Sequence, residues 1–528
     1  MKKGKRQGKR GGRLILHLFW LVWMILYVTL RWVLDNYGSV GLDEIIFHIN
    51  MPLQGVSRDL TLDYIQKGLK PALMVWIVFL LLQLFPRRRR FELCVQTSWG
   101  ERRFSLLPLK ISPWVNLFFL ICSYCFILEK ADDSFQMTAY LAEQMGSSSL
   151  IEEEYVSPDE VNITFPEKKK NLICIYVESA ETSAQDRKNG GLMEENLIPE
   201  LTLLAKENIS FSHSELIEGA AVAPDCTWTI AGLVAETAGI PLKLPANYNN
   251  VMGKYEYFLP GVVTLGDILE TEGYHNYFMA GSDFSFGGRR KYYTTHGNYE
   301  IMDYDWAVRK GKLEPGYKVF WGFEDRKLFA FAKEELTKIA AQEEPFHFSL
   351  LTVDTHMPAG YVCEDCPDRY SSQYANVWAC ASEQIFSFVS WIQDQDFYQD
   401  TVIYICGDHL SMVRSFYGDN TKDDYLGQNK RKVYETFIHA VTEPLQEKGR
   451  RFTTMDMFPT VLASIGARIE GERLGLGTNL FSEEETLAEK YGYEFLFGEL
   501  KKRSPFYDKE LLYPKKDRKY IEKKDKTA

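Results

Sequence analysis

Residues 223–242 read Ala-Pro-Asp-Cys-Thr-Trp-Thr-Ile-Ala-Gly-Leu-Val-Ala-Glu-Thr-Ala-Gly-Ile-Pro-Leu, a polar turn ending at Thr229 followed by small and apolar residues at helical spacing. The pattern delivers a hydroxyl to the first turn of a buried helix. There, unpaired backbone N–H groups and the helix dipole favour an alkoxide or a phosphoryl group. A structural N-cap threonine has the same local signature, so residues elsewhere must decide. Two apolar runs end in acids: Ile175-Tyr176-Val177-Glu178-Ser179 and Ile405-Cys406-Gly407-Asp408-His409. Ligands of open α/β sheets collect outside the carboxyl ends of the strands. Glu178, Asp408 and His409 at two such ends, joined by the hydroxyl of Thr229, make a four-ligand site for one divalent cation. Mostly oxygen donors with one nitrogen point to Mn²⁺, with Mg²⁺ or Zn²⁺ as alternatives.

Coordination answers the main objection to Thr229, because a threonine hydroxyl is a poor nucleophile near neutral pH and a bound cation depresses its pKa. The same ion suits in-line displacement at phosphorus. His356, in Val353-Asp354-Thr355-His356-Met357-Pro358, follows another apolar run and is a candidate for holding a phosphate or exchanging a proton. Arg289, in the glycine- and aromatic-rich stretch 284–293, is a candidate for a bidentate phosphate contact, a role Arg290 or Lys291 could also take.

These residues need a scaffold. Strand-like runs at 172–177, 276–280, 347–353, 402–406 and 436–441 alternate with helical patterns such as 199–206, 261–272, 378–393 and 455–465. Strands that are apolar throughout, separated by helices, predict a mostly parallel sheet covered by helices on both faces. This α/β domain spans 171–482. A polar linker is expected over 129–170, with one amphipathic helix near 139–144, and a charged, solvated tail beyond a possible helix over 483–528.

Three apolar runs precede residue 130, at 14–34, 71–85 and 111–128. A bilayer span takes about 20 predominantly apolar residues, so residues 1–128 read as an anchor of three transmembrane helices. Residues 1–13 hold seven Lys or Arg and no acid, and the loop after the second run opens with four arginines at 87–90. The loop over 35–65 has mostly acids. The positive-inside rule then puts the N-terminus in the cytoplasm and everything after residue 130 on the outer face of the membrane. The first run lacks a small-residue cleavage site and reads as an anchor, not a removed signal peptide. The net charge of −11 thus conceals a basic inner side. Those basic tracts flank spans, which suits anionic headgroups and argues against nucleic acid.

Nine cysteines are present. Cys363, Cys366 and Cys380 cluster in one outer-face loop and the helix after it. Two of them can pair in an oxidising compartment, leaving one free; a zinc site is the alternative, although no second Cys-x-x-Cys completes it.

As a set, residues 171–179, 228–242, 352–358 and 401–410, the late run Thr454-Met455-Asp456-Met457-Phe458-Pro459-Thr460-Val461-Leu462 and the early segment 42–55 resemble the lipoteichoic acid synthase and phosphoglycerol transferase I family of the alkaline phosphatase/sulfatase superfamily. The likeness extends over about residues 10–480. It implies that Glu178, Thr229, Asp408 and His409 hold the metal, that Thr229 is the nucleophile and becomes phosphoglycerylated, and that His356 and Arg289 bind the glycerol phosphate. It further implies a phosphatidylglycerol donor and a glycan or polyglycerolphosphate acceptor at the bacterial cell membrane. Three departures stand out. Three spans replace the usual five of lipoteichoic acid synthases. Gly287 stands where the family has a tryptophan near its arginine, and the long C-terminal extension of phosphoglycerol transferase I is missing. Sulfatases use a modified cysteine as nucleophile, but Cys226 lies three residues upstream of Thr229 and is not read as that group. The rival expectations are phosphoethanolamine transfer or sulfatase-type hydrolysis on the same scaffold, and a non-catalytic protein that binds envelope glycans.

Overall fold

The computed structural model describes residues 2–37, 41–42, 45–46, 58–84, 91–97, 100–106, 113–243, 257–417 and 431–512. It comprises two compact units, residues 1–39 with 56–137, and residues 40–55 with 138–528.

The first unit is helical. Helix α1 (Lys2–Tyr37), α2 (Lys70–Leu84) and α3 (Pro113–Phe135) are its main elements, with an antiparallel hairpin of Phe91–Thr97 and Gly100–Leu106 between α2 and α3. Tryptophan indoles stitch the helices together. Trp20 Nε1 donates to Asn116 Oδ1 (3.0 Å), Trp23 Nε1 to the Ser123 carbonyl (2.8 Å), and Trp76 Nε1 to the His17 carbonyl (3.0 Å). Large apolar side chains such as Phe118, Phe119 and Ile121 are exposed. Among the described residues, two helical segments of 22 residues are long and apolar enough to cross a membrane, Ile15–Asn36 and Trp114–Phe135. The third expected span falls on α2, whose 15 residues rise about 22 Å against a hydrocarbon core of about 30 Å. A π-helical turn, Tyr64–Leu69, precedes it and lengthens the helical run. The arginines at 87–90 lie outside the described residues.

The second unit is built on six strands: β1 (Asn171–Val177), β2 (His275–Ala280), β3 (Glu300–Met302), β4 (Phe346–Leu351), β5 (Thr401–Gly407) and β6 (Glu435–Ile438). They lie in the order β3-β2-β4-β1-β5-β6, all parallel except the β5–β6 pair. The sheet is thus mixed and mostly parallel, as its predominantly apolar strands predict. Alternate residues of β1 enter two separate cores, with Leu172, Cys174 and Tyr176 on one face and Ile173, Ile175 and Val177 on the other. Helices α4 (Pro199–Glu207), α8 (Asp325–Ile339) and α9 (Gln373–Gln393) cover the second face. Helices α5 (Thr229–Ala238), α6 (Leu265–Thr271) and α10 (Met457–Ser464) cover the first, and α7 (Arg289–Thr295) follows a loop at the end of β2.

Two sequence expectations are corrected. Much of the stretch read as a linker is packed: Leu150 and Ile151 are buried in the first-face core, and Ile163–Thr164 pairs with Arg468–Ile469. Glu154 accepts from Arg473 (3.0 Å) and Lys490 (2.6 Å). Nor does the tail begin at 483. Leu496, Leu500 and Tyr507 are fully buried in the same core, and only residues 513–528 lie outside the described region. High local charge hid both segments, because each carries its apolar anchors on one face among many Glu and Lys.

Candidate active site

Strands β1 and β5 are parallel neighbours in register, Val177 opposite Gly407. The next residue on each, Glu178 and Asp408, therefore emerges at the same sheet edge. Ligand atoms of Glu178, Asp408 and His409 all lie within 4.8 Å of one another, and all three side chains are buried. His409 Nε2 is 3.4 Å from Glu178 Oε1 and 3.5 Å from Asp408 Oδ2.

Thr229 reaches this group from α5. It is the first residue of the helix, following Trp228 in an extended conformation, and its Oγ1 lies 3.5 Å from His409 Nε2. The approach depends on Gly232, one turn on: a Cβ there would sit 1.8 Å from the Asp408 carbonyl oxygen. Only a glycine lets the first turn of α5 lie flat against the Asp408 backbone.

Neighbouring groups hold each side chain. Asp408 Oδ1 accepts from the amides of Ser179 (2.8 Å) and His409 (2.9 Å), and Ser179 adopts a left-handed conformation (φ 59) to donate. Ser179 Oγ donates to Glu178 Oε1 (2.8 Å), and the Glu178 amide donates to Thr352 Oγ1 (2.9 Å) at the end of β4. His409 Nδ1 bonds the Leu410 carbonyl (2.8 Å), an arrangement that leaves Nε2 as the ligand atom. Behind them, Arg431 clamps Glu181 with Nε to Oε2 (2.7 Å) and Nη2 to Oε1 (2.5 Å), and donates to the Ser411 carbonyl (2.7 Å).

The donor set fits a cation. Asp408 Oδ2 is fully buried and has no hydrogen-bond partner among the described residues, an expense that makes sense for a ligand atom. Burial, with repulsion from Glu178, pushes Asp408 up to about 7. Burial opposes the charge of His409, yet Asp408 and Glu178 together hold it up to about 10. The protein thus concentrates two acids around one position with a single imidazole to balance them.

His356 sits in the loop after β4, its Nδ1 bonded to the Met357 carbonyl (2.9 Å). Burial pushes its pKa down, partly offset by Glu178. Arg289 begins α7 and is 6% exposed. Its Nε donates to the Phe286 carbonyl (3.2 Å) and its Nη2 to Ser282 Oγ (3.2 Å) and the Asp283 carbonyl (2.9 Å), while its charge is felt by Glu178 and Asp408. Arg290, the sequence alternative, is engaged instead with the buried carboxylate of Asp303. The structure therefore brings Glu178, Thr229, Asp408 and His409 together, with Arg289 and His356 in electrostatic reach. An aromatic group beside His356 was not anticipated. Trp321 packs on it with centroids 4.6 Å apart, and Trp321 also meets Phe286 at 5.9 Å. The run Phe320-Trp321-Gly322-Phe323 was its visible signal: Gly322 lets that loop press against Gly281, since a Cβ would fall 1.9 Å from the Gly281 carbonyl oxygen.

A family model described as Sulfatase matches residues 170–467. Phosphoglycerol transferase I of Escherichia coli (strain 55989 / EAEC) is 32% identical over 327 residues, covering 60% of this chain and 40% of that protein. The chain thus spans well under half the length of the curated relatives it matches. Among solved structures, the lipoteichoic acid synthase LtaP from Listeria monocytogenes is 18% identical, with 64% of this chain and 82% of that one covered at a TM-score of 0.46. The lipooligosaccharide phosphoethanolamine transferase EptA from Neisseria meningitidis is 12% identical, with 85% and 83% covered at a TM-score of 0.47.

Proposed function

Because the chain belongs to the sulfatase family, we propose that it is a membrane-anchored phosphotransferase that moves glycerol phosphate from phosphatidylglycerol to a cell-envelope glycan or a polyglycerolphosphate chain. The observation that carries this reading is the 3.5 Å approach of Thr229 Oγ1 to His409 Nε2 beside Asp408 Oδ2, a buried oxygen without a hydrogen-bond partner among the described residues. Identity of 32% to a phosphoglycerol transferase supports the choice of donor.

Glu178, Thr229, Asp408 and His409 would hold one divalent cation, Mn²⁺ in our reading. When bound, the ion lowers the pKa of the threonine hydroxyl and offsets charge on phosphoryl oxygens. Thr229 Oγ1, its proton released to solvent, attacks the phosphorus of the lipid, and the bond from phosphorus to the diacylglycerol oxygen breaks. Glycerol phosphate is left esterified to Thr229, at a helix N-terminus whose dipole favours the anion. His356 gives the departing oxygen its proton and takes one from the incoming acceptor hydroxyl, which displaces Thr229 in a second in-line step. Arg289 holds the phosphate through both steps.

In this reading the 14–34, 71–85 and 111–128 segments all span, with the N-terminus in the cytoplasm and the α/β unit outside. Anchoring keeps the unit at high effective concentration over a donor that never leaves the bilayer.

The test uses the full chain in membranes with headgroup-labelled phosphatidylglycerol and phosphatidylethanolamine supplied together. A Thr229 peptide carrying the mass of glycerol phosphate is expected. Ethanolamine phosphate on that peptide would transfer the reading to the other phospholipid, and an unmodified peptide in metal-loaded protein would end it.

A further inference from the structure

Outside the active site, a second group of metal-ligating side chains is built into the loop that carries His356. Cys363 and Cys366 lie in the segment between β4 and α9, and Cys380 lies on α9 itself. No disulfide joins them. Cys363 Sγ is 3.5 Å from Cys366 Sγ and 3.7 Å from Cys380 Sγ, and all three sulfurs lie within 4.8 Å of one another. Zinc–thiolate bonds of about 2.3 Å in tetrahedral geometry place sulfurs about 3.8 Å apart. The two edges that meet at Cys363 therefore match the edges of a zinc–thiolate tetrahedron, and the third is no longer than 4.8 Å.

The surroundings suit thiolates. The Cys363 amide donates to Cys366 Sγ (3.2 Å), and Gln384 Nε2 donates to Cys380 Sγ (3.0 Å) and Cys363 Sγ (3.5 Å). Such N–H donors are the usual outer support of metal-bound sulfur. Gln384 Oε1 is buried with no hydrogen-bond partner. With its N–H group on the sulfurs Gln384 stays a donor, so a water takes the fourth corner. In the pair-plus-free-thiol alternative, a Cys363–Cys366 disulfide would strand the buried Cys380 thiol against Gln384.

We infer that Cys363, Cys366 and Cys380 form a structural zinc site. It fastens the His356 loop to α9, seven residues downstream of His356 and independently of the cation at Glu178, Asp408 and His409. Soft thiolates select zinc over the hard cations that carboxylates prefer, so the two sites need not compete.

The experiment is a cobalt titration of the full chain, purified in detergent, reduced, stripped with chelator and kept under argon. Wild-type protein should develop an intense near-ultraviolet thiolate-to-cobalt absorption, and the band should be lost in Cys366→Ser, whose sulfur is only half-buried. Ions at Glu178, Asp408 and His409 have no sulfur ligand and cannot produce it. Zinc bound to the protein as isolated should be one equivalent higher in wild type than in the variant. Absence of the band from reduced wild-type protein overturns the inference, as does a peptide map of the isolated protein showing any two of these cysteines disulfide-bonded. The decisive spectrum is that of the wild type, so a poorly folding variant does not blunt the test.

Discussion

Thr229 and His409 are 180 positions apart in the chain, yet Thr229 Oγ1 lies 3.5 Å from His409 Nε2. The contact exists because β1 and β5 end together and α5 starts above their shared edge. Thr229 is the first residue of α5, after the N-cap Trp228, and among the described residues its hydroxyl pairs with His409, a contact the helix itself does not need. Thr229→Ala should cut diacylglycerol release from phosphatidylglycerol by a factor on the order of 10³ or more, with a nearly unchanged melting temperature. Thr229→Ser should retain measurable turnover and accept the label on serine.

Asp408 holds the loop with Oδ1 and leaves Oδ2 without a hydrogen-bond partner among the described residues. In Asp408→Asn the amide oxygen can keep both backbone bonds, but the second ligand oxygen becomes an N–H donor. Equilibrium dialysis against Mn²⁺ should show binding falling from about one ion per chain to a small fraction, with the far-ultraviolet circular dichroism intact. Undiminished Mn²⁺ binding would remove Asp408 from the ligand set.

Gly232→Ala reverses a familiar sign. Alanine in a helix interior ordinarily stabilises by about 1 kcal/mol over glycine. Here its Cβ would lie 1.8 Å from the Asp408 carbonyl oxygen, so helix and strand end must separate. A loss of about 3 kcal/mol in stability is expected, visible in urea unfolding of the full chain, together with lost activity as Thr229 leaves its ligand partners.

Arg289 spends Nε and Nη2 on local oxygens that fix its plane. Lysine keeps the charge but not the fork. Arg289→Lys should raise KM for the phospholipid about tenfold or more, with a smaller change in kcat; the reverse pattern would make it a group acting on the transition state.

Glu435, on β6, is fully buried, and burial pushes it up to about 8 from an ordinary value of 4.5. Among the described residues its Oε1 accepts from the Ser210 hydroxyl (3.2 Å), and Oε2 has no hydrogen-bond partner. Below about pH 4.5 the acid is protonated in both folded and unfolded chains and costs nothing extra. As pH rises toward 8 the unfolded chain ionises while the folded one resists, so stability drains across that window and levels off above it. Glu435→Gln should melt higher than wild type at pH 8, with the gap closing near pH 4.5. A gap independent of pH would show that Glu435 is not the titrating group.

Much of this was legible in the chain itself. The five longer strands betray themselves because strands of a sheet covered on both faces run mostly apolar, 172–177 and 402–406 at every position. Acids placed straight after such runs mark the edge where ligands gather, which is why Glu178, Asp408 and His409 could be named before any coordinates. Strand β3, only three residues long, carries no such pattern, and helix α8 is masked by its charged outer face. Apolar anchors in 150–165 and 487–512 were outvoted by the charges around them.

What only the fold decided is proximity. Pattern distinguishes Thr229 from an ordinary N-cap no better than it separates Arg289 from Arg290. It took Gly232 against the Asp408 backbone and Asp303 beneath Arg290 to do so. The cysteine triangle is the same case, since two residues in a loop and one on α9 share a site only after α9 has docked. Local sequence sets backbone preference and burial through nearest neighbours. Ligand geometry depends on segments hundreds of residues apart, and only the packing of the whole sheet and its helices brings those together.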